Sequence, residues 1–348
     1  MKIERVAIVG DGVLTYFIQR EMRKRNIVCY TLRKDKYNIV GHQDEIVKFC
    51  KDQKIDVLIN CAAKTDVDWC EQHQQRAMKV NAEAPGKLYN ALITTKTCPV
   101  KWFICFSSEM VFDGRKEERY VEEDPTSPRN VYGVSKATLE MLLLAIARKD
   151  SNKTRRTRVR YTCVRTSWLY HDQFILGKHF RGWPRSMIRR LHENKKIWVA
   201  TDIRGCPTCY SDLAGFVGIV ITEIKKRTGA KLGELEGIIN AAGPRSVSRA
   251  RWLQAIKEGL DEGGVRYDCR EVIELPYQEY RKQVDEPTQR PYNGRLDSSK
   301  ARSLGWKPKS WRVATEEIVR TFLATVKTFE PLRESGEFKT VDSSSLNW

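Results

Sequence analysis

Tyr132 and Lys136 stand four residues apart in the stretch NVYGVSKATLEMLLLAI, residues 130–146. The apolar pattern of this stretch predicts a helix, so the two side chains share one of its faces. A phenol with an ordinary pKa near ~10 is a poor acid at neutral pH, but a neighbouring ammonium favours the phenolate and so lowers that pKa. The pair is therefore suited to give a proton to a carbonyl oxygen while the carbonyl carbon accepts a hydride.

Ser108 is a third candidate, because it ends a strand. The stretch VKWFICFSSEMVFDG, residues 100–114, begins as a strand that is apolar on both faces and then breaks into two serines and Glu109. The carboxyl ends of parallel strands are where an α/β sheet presents groups to its ligand. A Tyr-x-x-x-Lys spacing alone arises by chance in long chains, so the position of Ser108 strengthens the prediction that it meets Tyr132 and Lys136 in one catalytic site.

The elements that must position these residues alternate regularly in the first half of the chain. Strands are predicted at 5–9, 27–32, 56–63, 100–108 and 160–170. Helices are predicted at 13–25, 44–53, 76–95 and 131–148. Near-continuous Val, Ile and Leu runs alternating with helices indicate a parallel sheet covered on both faces. Right-handed crossovers then give a Rossmann-like doubly wound α/β fold.

A glycine-rich turn follows the first strand. The stretch GDGVLT, residues 10–15, opens the first helix. Glycines there allow a tight turn and a close approach to a pyrophosphate at the helix N-terminus. Thr15 replaces the third glycine of the G-x-G-x-x-G pattern, which predicts slightly looser packing of this helix on the strand. Dinucleotide contacts are predicted for Gly10, Gly12, Val13 and Leu14.

Arg33 and Lys34 follow the second strand, where NAD-binding proteins usually place an acidic residue on the ribose hydroxyls. A cationic pair suits a 2′-phosphate instead. We therefore predict that Arg33 binds the cofactor and that NADPH is favoured over NADH, with NADH as an alternative. The alternative interpretation of Arg33 and Lys34 is an ordinary exposed turn without a cofactor role.

Beyond residue 170 the pattern is less regular, with helices near 183–193, 211–227 and 248–260. We predict an NAD(P)-binding domain at 1–170, mainly a smaller C-terminal substrate-binding lobe at 171–330, and a flexible tail at 331–348. No internal repeat is visible.

Composition limits the class of protein. The 348 residues are 41% apolar and 30% charged, without Gly/Ser-rich or Pro-rich tracts, which is typical of a globular protein. No apolar run is long enough to cross a bilayer, and the N-terminus resembles a first strand more than a signal peptide. A cytoplasmic protein without a membrane role is expected.

The formal net charge is +18, and much of the excess lies in two stretches. Residues 148–160 carry seven Lys or Arg against one Asp, and residues 181–196 carry six against one Glu. Such stretches attract any polyanion, whether nucleic acid or the phosphates of a cofactor or nucleotide. We interpret 148–160 as an inserted solvated loop and do not expect nucleic-acid binding to be the main function.

The ten cysteines have none of the dense spacing of a disulfide scaffold, so reduced thiols are expected. Cys206 and Cys209 form the one C-x-x-C pair. It could be redox-active or half of a zinc site, but no second pair completes four ligands. No metal is predicted.

Several segments in order resemble the extended short-chain dehydrogenase/reductase family, and within it the dTDP-4-dehydrorhamnose reductases. The resemblance runs over roughly residues 3–325. It rests on NCAAKTDVDWCE (60–71), VNAEAPGKL (80–88), SSEMVFDG (107–114), YVEEDPTSPRNVYGVSK (120–136), RTSWLY (165–170), GCPTCYSDLA (205–214) and RPYNGRLDSSK (290–300).

The resemblance implies an activity and a role for each catalytic residue. Ser108 polarises the substrate carbonyl, Tyr132 delivers the proton, and Lys136 lowers the pKa of Tyr132 and holds the nicotinamide ribose. Hydride passes from NAD(P)H to C4 of a nucleotide-linked 4-keto-6-deoxyhexose, which gives the L-rhamnose nucleotide. The resemblance implies a nucleotide sugar as the substrate. Whether the chain is a monomer or a homodimer is left open.

The resemblance also implies binding residues. On the cofactor side, Asn38 and Ile39 lie near the adenine, while Ala62, Ala63 and Thr65 line the path to the nicotinamide. Substrate contacts are implied for Ser108, Glu109, Trp168, Arg204 and Arg290. The alternative to a substrate contact for Trp168 is a purely structural role, as an aromatic side chain packed in the core at the end of a strand.

Glu109 and Met110 depart from the family pattern, which commonly has Asp-Tyr at these positions. This leaves open which sugar and which base, dTDP or UDP, the protein takes. It also keeps a second hypothesis: a non-catalytic, NADP-binding regulatory subunit resembling the β subunit of methionine adenosyltransferase, a relative that retains much of the same motif.

Overall fold

The computed structural model describes residues 3–151, 159–171 and 182–334. These residues form two compact units. Unit 1 comprises residues 3–151, 159–167, 211–242 and 287–307. Unit 2 comprises residues 168–171, 182–210, 243–286 and 308–334.

The secondary structure of both units is named in chain order. The strands are β1 (Arg5–Val9), β2 (Val28–Leu32), β3 (Val57–Asn60), β4 (Trp102–Ser108), β5 (Arg160–Thr166), β6 (Leu169–Tyr170), β7 (Lys196–Ala200), β8 (Arg204–Gly205), β9 (Thr208–Cys209), β10 (Gly237–Asn240), β11 (Val247–Ser248), β12 (Glu271–Leu275) and β13 (Asn293–Gly294). The helices are α1 (Val13–Lys24), α2 (Gln43–Asp52), α3 (Val67–Gln72), α4 (Gln74–Met78), α5 (Ala84–Thr94), α6 (Val131–Ser151), α7 (Trp183–Glu193), α8 (Tyr210–Lys226), α9 (Gly229–Gly233), α10 (Arg249–Glu262), α11 (Tyr277–Val284), α12 (Ser299–Ser303) and α13 (Trp311–Glu334).

Unit 1 is built on a six-stranded sheet in the order β10-β5-β4-β3-β1-β2, with every neighbouring pair parallel. Strands β3 and β4 are buried along almost their whole length, as expected for strands covered by helices on both faces. The chain reverses its direction of travel across the sheet at β1 and β3. In open α/β sheets, ligands bind beyond the carboxyl ends of the strands at such a reversal. The predicted Rossmann-like fold is confirmed.

The described chain passes between the two units more than once, whereas the sequence predicts one boundary near residue 170. The chain does leave unit 1 after Ser167, but residues 211–242 and 287–307 return to it. Helix α8 carries the chain back so that β10 can pair with β5, with Gly237 opposite Thr162 and Asn240 opposite Arg165. Strand β10 contains only two large apolar residues, Ile238 and Ile239, so its apolar run was too short to recognise in the sequence.

Two predicted elements in unit 1 are interrupted. The helix predicted at 76–95 contains a π-helical turn, Lys79–Glu83, between α4 and α5. The strand predicted at 160–170 is split into β5 and β6, because Trp168 has a φ of +41°. A bulky residue with positive φ cannot continue an extended strand.

The basic stretch predicted as a loop at 148–160 begins and ends in regular structure. Residues 148–151 are the last residues of α6, and Arg160 begins β5. Residues 152–158 lie outside the described residues. Of the predicted tail, residues 331–334 belong to α13, and the prediction for 335–348 also falls outside the described part of the chain.

Unit 2 has a separate core. Within this unit β7 pairs with β12 and β6 with β9 in parallel, and β8 pairs with β11 antiparallel. Helices α10 and α13 pack together, and their buried faces include Trp252, Ile256, Ile318 and Phe322. Over the described residues of both units, no helix combines the length and apolar character needed to cross a bilayer.

Candidate active site

The turn from β1 to α1 is shaped by two glycines. Gly10 has a φ of +102°, and a Cβ atom added there would lie 3.0 Å from the backbone nitrogen of Ala62. At Gly12, the N-cap of α1, an added Cβ would meet open space. Among the described residues no side chain caps this helix, so its first N–H groups are available to an anion. Gly10, Gly12 and the adjacent Val13 and Leu14 thus fit a dinucleotide pyrophosphate.

Thr15 closes the same turn. Its side chain is buried, and its hydroxyl donates a 2.9 Å hydrogen bond to the carbonyl oxygen of Gly10. The residue that departs from the glycine pattern therefore stabilises the turn.

Arg33, directly after β2, extends into solvent with 70% of its side chain exposed. Its Nε lies 3.9 Å from Asp11 and 4.0 Å from Asp35, which are loose contacts. A guanidinium held this weakly can turn toward a phosphate. Asn38 accepts a hydrogen bond from the backbone of Val40 in the next turn.

Four predicted cofactor residues differ in exposure. Ile39 packs its side chain in the apolar core of unit 1. Ala62 and Ala63 are half-buried just after β3, and Thr65 is exposed. The backbone nitrogen of Ala62 donates to the side chain of Asn60, which fixes the loop where β3 ends.

Ser108 ends β4, as predicted, and its side chain is almost fully buried. Its hydroxyl donates a 2.6 Å hydrogen bond to Oε2 of Glu109 and accepts one of 3.3 Å from the backbone nitrogen of Met110. Glu109 is only 3% exposed. The single hydroxyl hydrogen of Ser108 is therefore directed at a buried carboxylate.

Tyr132 and Lys136 lie in the first two turns of α6, and both are buried. The Lys136 ammonium lies 5.7 Å from the centroid of the Tyr132 ring and donates to the carbonyl oxygen of Phe106 in β4 at 2.9 Å. Burial lowers the pKa of Lys136 below the usual lysine value. Lys136 thus connects the helix that carries Tyr132 to the strand that carries Ser108.

The start of α6 fits closely against the turn that follows Ser108. A Cβ added to Gly133 would lie 2.1 Å from the carbonyl oxygen of Met110. Met110 itself packs with Tyr132 in a small apolar cluster that includes Cys70. The residue that replaces the family's tyrosine therefore belongs to the same apolar cluster as the proposed proton donor.

Asn81 is a residue that the sequence analysis missed. It lies in the π-helical turn and pairs with the backbone of Lys64 through two hydrogen bonds, of 2.8 and 2.9 Å. Its amide also donates to Ser135, whose hydroxyl donates to the carbonyl oxygen of Tyr132. The available signal in the sequence was a polar residue inside a predicted helix. Its position in a π-turn agrees with a role at the site, because π-turns often mark functional sites.

Two further polar residues hold the N-terminus of α6. The backbone nitrogen of Val131 donates to the carboxylate of Glu71 at 3.0 Å, and Asn130 accepts from the backbone of Gly133 at 2.8 Å. Both satisfy N–H groups that a helix leaves unpaired at its start. They fix the part of the helix that carries Tyr132.

The predicted substrate residues do not all lie in unit 1. Arg290 does, and its guanidinium is paired with Asp68 at 3.0 Å. Arg204 is exposed in β8 of unit 2. Trp168, also in unit 2, stacks on Trp252 at 6.0 Å between ring centroids, which agrees with the structural alternative of a packed aromatic.

Cys206 and Cys209, the C-x-x-C pair, are buried in unit 2. Across residues 3–151, 159–171 and 182–334, no group of three or more His, Cys, Asp or Glu side chains is placed to hold a metal ion.

The RmlD substrate binding domain family matches residues 4–324. A dTDP-4-dehydrorhamnose reductase of Sinorhizobium fredii is 27% identical over 92% of this chain and 98% of its own length. One of Burkholderia thailandensis is 28% identical over 82% of this chain and 88% of its own. Both relatives are named as reductases, so the hypothesis of a non-catalytic regulatory subunit is not favoured.

Solved structures agree in fold. The dTDP-4-dehydrorhamnose reductase of Bacillus anthracis, solved in complex with NADP, has a TM-score of 0.72 and 24% identity over 93% of this chain and 100% of its own. A UDP-glucose 4-epimerase of Thermus thermophilus reaches a TM-score of 0.71 with 16% identity over 91% and 98%. The family match over nearly the whole described chain, together with this shared fold, leads to one conclusion: the chain belongs to the RmlD family of extended short-chain dehydrogenases/reductases, the family of the dTDP-4-dehydrorhamnose reductases.

Proposed function

We propose that the protein is an NADPH-dependent reductase of the C4 keto group of a nucleotide-linked 4-keto-6-deoxyhexose, the step that forms an L-rhamnose nucleotide. The observation that carries this proposal is the arrangement of Ser108 at the end of β4 and of Tyr132 and Lys136 at the start of α6. A hydroxyl donor, a phenol and an ammonium are the groups that carbonyl reduction needs.

Each residue has a defined task in this reaction. Ser108 donates a hydrogen bond to the C4 oxygen and so polarises the carbonyl. Tyr132 gives its hydroxyl proton to that oxygen as the carbon–oxygen π bond breaks, and it is left as a phenolate. The ammonium of Lys136 stabilises this negative charge. When bound, NADPH supplies the hydride that the carbonyl carbon accepts, and a solvent proton restores Tyr132.

The cofactor would be held by unit 1. Gly10, Gly12 and the start of α1 suit the pyrophosphate, and Arg33 suits the 2′-phosphate. The substrate roles of Trp168 and Arg204 stay predictions, as does the role of unit 2 as the substrate-binding lobe.

An assay of NADPH oxidation tests the proposal directly. The purified protein is mixed with dTDP-4-keto-6-deoxyglucose or its UDP counterpart, together with a 3,5-epimerase, and absorbance of NADPH is followed. We expect turnover with one of the two nucleotides. Binding of NADPH without oxidation in either mixture would reject the enzyme and leave a regulatory subunit as the better description.

We further infer that the substrate is the protein's principal partner, and that the protein acts in the cytoplasm without nucleic acid. A titration against a nonspecific duplex at physiological salt tests the last point. Light scattering of the purified chain decides between a monomer and a homodimer. Sub-micromolar duplex binding would contradict our interpretation of the basic stretches.

A further inference from the structure

Arg165 and Glu140 form an ion pair inside unit 1. The guanidinium donates to both carboxylate oxygens, from Nε at 2.9 Å and from Nη2 at 2.8 Å. The side chains are only 2% and 4% exposed. An ion pair buried this deeply is a poor source of stability, because the cost of removing both charges from water offsets their attraction. Its presence therefore suggests a task other than stability.

The pair joins the two elements that carry the catalytic residues. Glu140 follows Lys136 by four residues in α6, one helical turn further along the same face. Arg165 lies in β5, opposite Ser107 in the register with β4, and Ser108 lies opposite Thr166. The ion pair thus fixes α6 against the end of the sheet within one residue of Ser108.

The same guanidinium also holds the segment that follows Ser108. Nη1 of Arg165 donates to the carbonyl oxygen of Glu122 at 3.1 Å. The guanidinium lies 4.9 Å from the centroid of the Phe112 ring, which in turn stacks on Tyr120 at 4.0 Å. A planar guanidinium can make these contacts together with a two-bonded carboxylate, whereas a lysine ammonium cannot.

The electrostatics point in the same direction. Burial lowers the pKa of Lys136, and the carboxylate of Glu140 is among the neighbours that oppose this shift. Glu140 therefore partly counteracts the effect of burial on Lys136.

We propose that Arg165 and Glu140 are positioning residues that hold Tyr132 and Lys136 at a fixed distance from Ser108. The proposal rests on the proposed reductase function, since that reaction needs all three groups around one carbonyl. It assigns the ion pair no contact with substrate or cofactor.

The main test replaces the whole pair with apolar side chains of similar size, Arg165→Met with Glu140→Leu. This avoids an unpaired buried charge, which would simply unfold the protein. We expect a folded protein whose kcat is lower by about 100-fold, the usual effect of a ~1 Å displacement of reacting groups. The Kd for NADPH should be unchanged, because the cofactor turn at Gly10 is not touched.

The matched control is Arg227→Met with Glu223→Leu, a 2.7 Å ion pair at the end of α8 in the same unit. We expect it to leave kcat unchanged. Arg165→Lys serves if the apolar double variant does not fold, because it keeps the buried charges paired and removes only the two-bonded contact with Glu140. A smaller fall in kcat is expected for it, again without loss of NADPH binding.

A crystal structure of the Arg165→Met, Glu140→Leu double variant supplies a readout that does not need turnover. It measures the distance between the Ser108 and Tyr132 oxygens, which we expect to change by about 1 Å or more, the scale that matters for reaction rate. If the unaltered protein has no turnover, the proposed function fails while this distance still tests the positioning role. A folded variant with an unchanged distance, or with an unchanged kcat, overturns the positioning proposal.

Discussion

Ser108 donates its hydroxyl hydrogen to Glu109 across 2.6 Å, so the residue expected to polarise the substrate is already bound to a buried carboxylate. A serine hydroxyl has only one hydrogen to donate. Before Ser108 can bond to a C4 carbonyl oxygen, that hydrogen must leave Glu109. The adjacent carboxylate therefore competes with the substrate.

Glu109→Gln tests this competition. A hydrogen bond to a neutral amide is weaker than one to a carboxylate by about 1 kcal/mol, so kcat/KM for the keto sugar is expected to rise about fivefold. Ser108→Ala should instead lower kcat by about 100-fold or more, because the polarising donor is gone. Steady-state kinetics of both variants measure these changes. A tenfold fall in kcat/KM for Glu109→Gln would show instead that the carboxylate itself binds the substrate.

Tyr132→Phe removes the proposed proton donor and keeps the ring. We expect kcat to fall by about 100-fold or more, the usual contribution of a positioned acid. Fluorescence titration should show NADPH affinity within twofold of the unaltered protein. Tyr267→Phe is the control, since its hydroxyl bonds to Asp261 in unit 2. Comparable turnover in Tyr132→Phe would remove the acid role from this residue.

Arg33→Ala should change the preference between cofactors. The exposed guanidinium is held only loosely by Asp11 and Asp35, so its removal is expected to weaken NADPH binding about tenfold, as for loss of a charged hydrogen bond. NADH binding should not change. Calorimetric titration with both cofactors gives the ratio of the two dissociation constants. The control is Arg20→Ala, on the exposed surface of α1. Equal loss for both cofactors would argue against a 2′-phosphate contact.

Gly133→Ala should damage the site even though alanine favours helices. Its Cβ would overlap the carbonyl oxygen of Met110, so we expect a loss of about 1–3 kcal/mol in the free energy of unfolding together with reduced kcat. Gly215→Ala in α8 is matched, because its Cβ would meet nothing within 4 Å. That control should gain up to about 1 kcal/mol. Urea unfolding distinguishes the two, and equal stability of both variants would contradict the close contact.

Asp56 makes stability depend on pH. Burial raises the pKa of its carboxyl, but the N–H groups of Glu4 and Arg5 and the Lys101 ammonium outweigh burial and leave the pKa below the usual value. Asp56 therefore stabilises the folded state above its unfolded pKa near ~4, and this contribution is lost as the pH falls through the lower folded pKa.

The Asp56→Asn variant should accordingly lose about 1–2 kcal/mol in the free energy of unfolding at pH 7. The difference from the unaltered protein should shrink as the pH falls below about 4, where the carboxyl becomes protonated. Urea unfolding from pH 7 to pH 3 measures both, with the exposed Asp52→Asn as control. A difference that stays constant down to pH 3 would exclude the carboxylate charge as its source.

Local patterns were sufficient for much of the fold. Strand β1 and helix α7 have the predicted bounds, α1 ends one residue earlier than predicted, and α8 is shifted by one residue at both ends. Strand β10 was missed because it holds only two large apolar residues, and its place is decided by pairing with β5. The break at Trp168 was missed because it depends on a backbone angle that side-chain type does not dictate.

The sequence by itself determined the fold class and predicted the candidate catalytic groups. Repeated apolar runs specify buried parallel strands, and the spacing of Tyr132 and Lys136 specifies a shared helix face. The tertiary structure alone decided that Ser108 donates to Glu109 and that Arg165 pairs with Glu140. Which acceptor a hydroxyl chooses depends on side-chain geometry after folding, and a pair 25 residues apart forms only when strand and helix have packed.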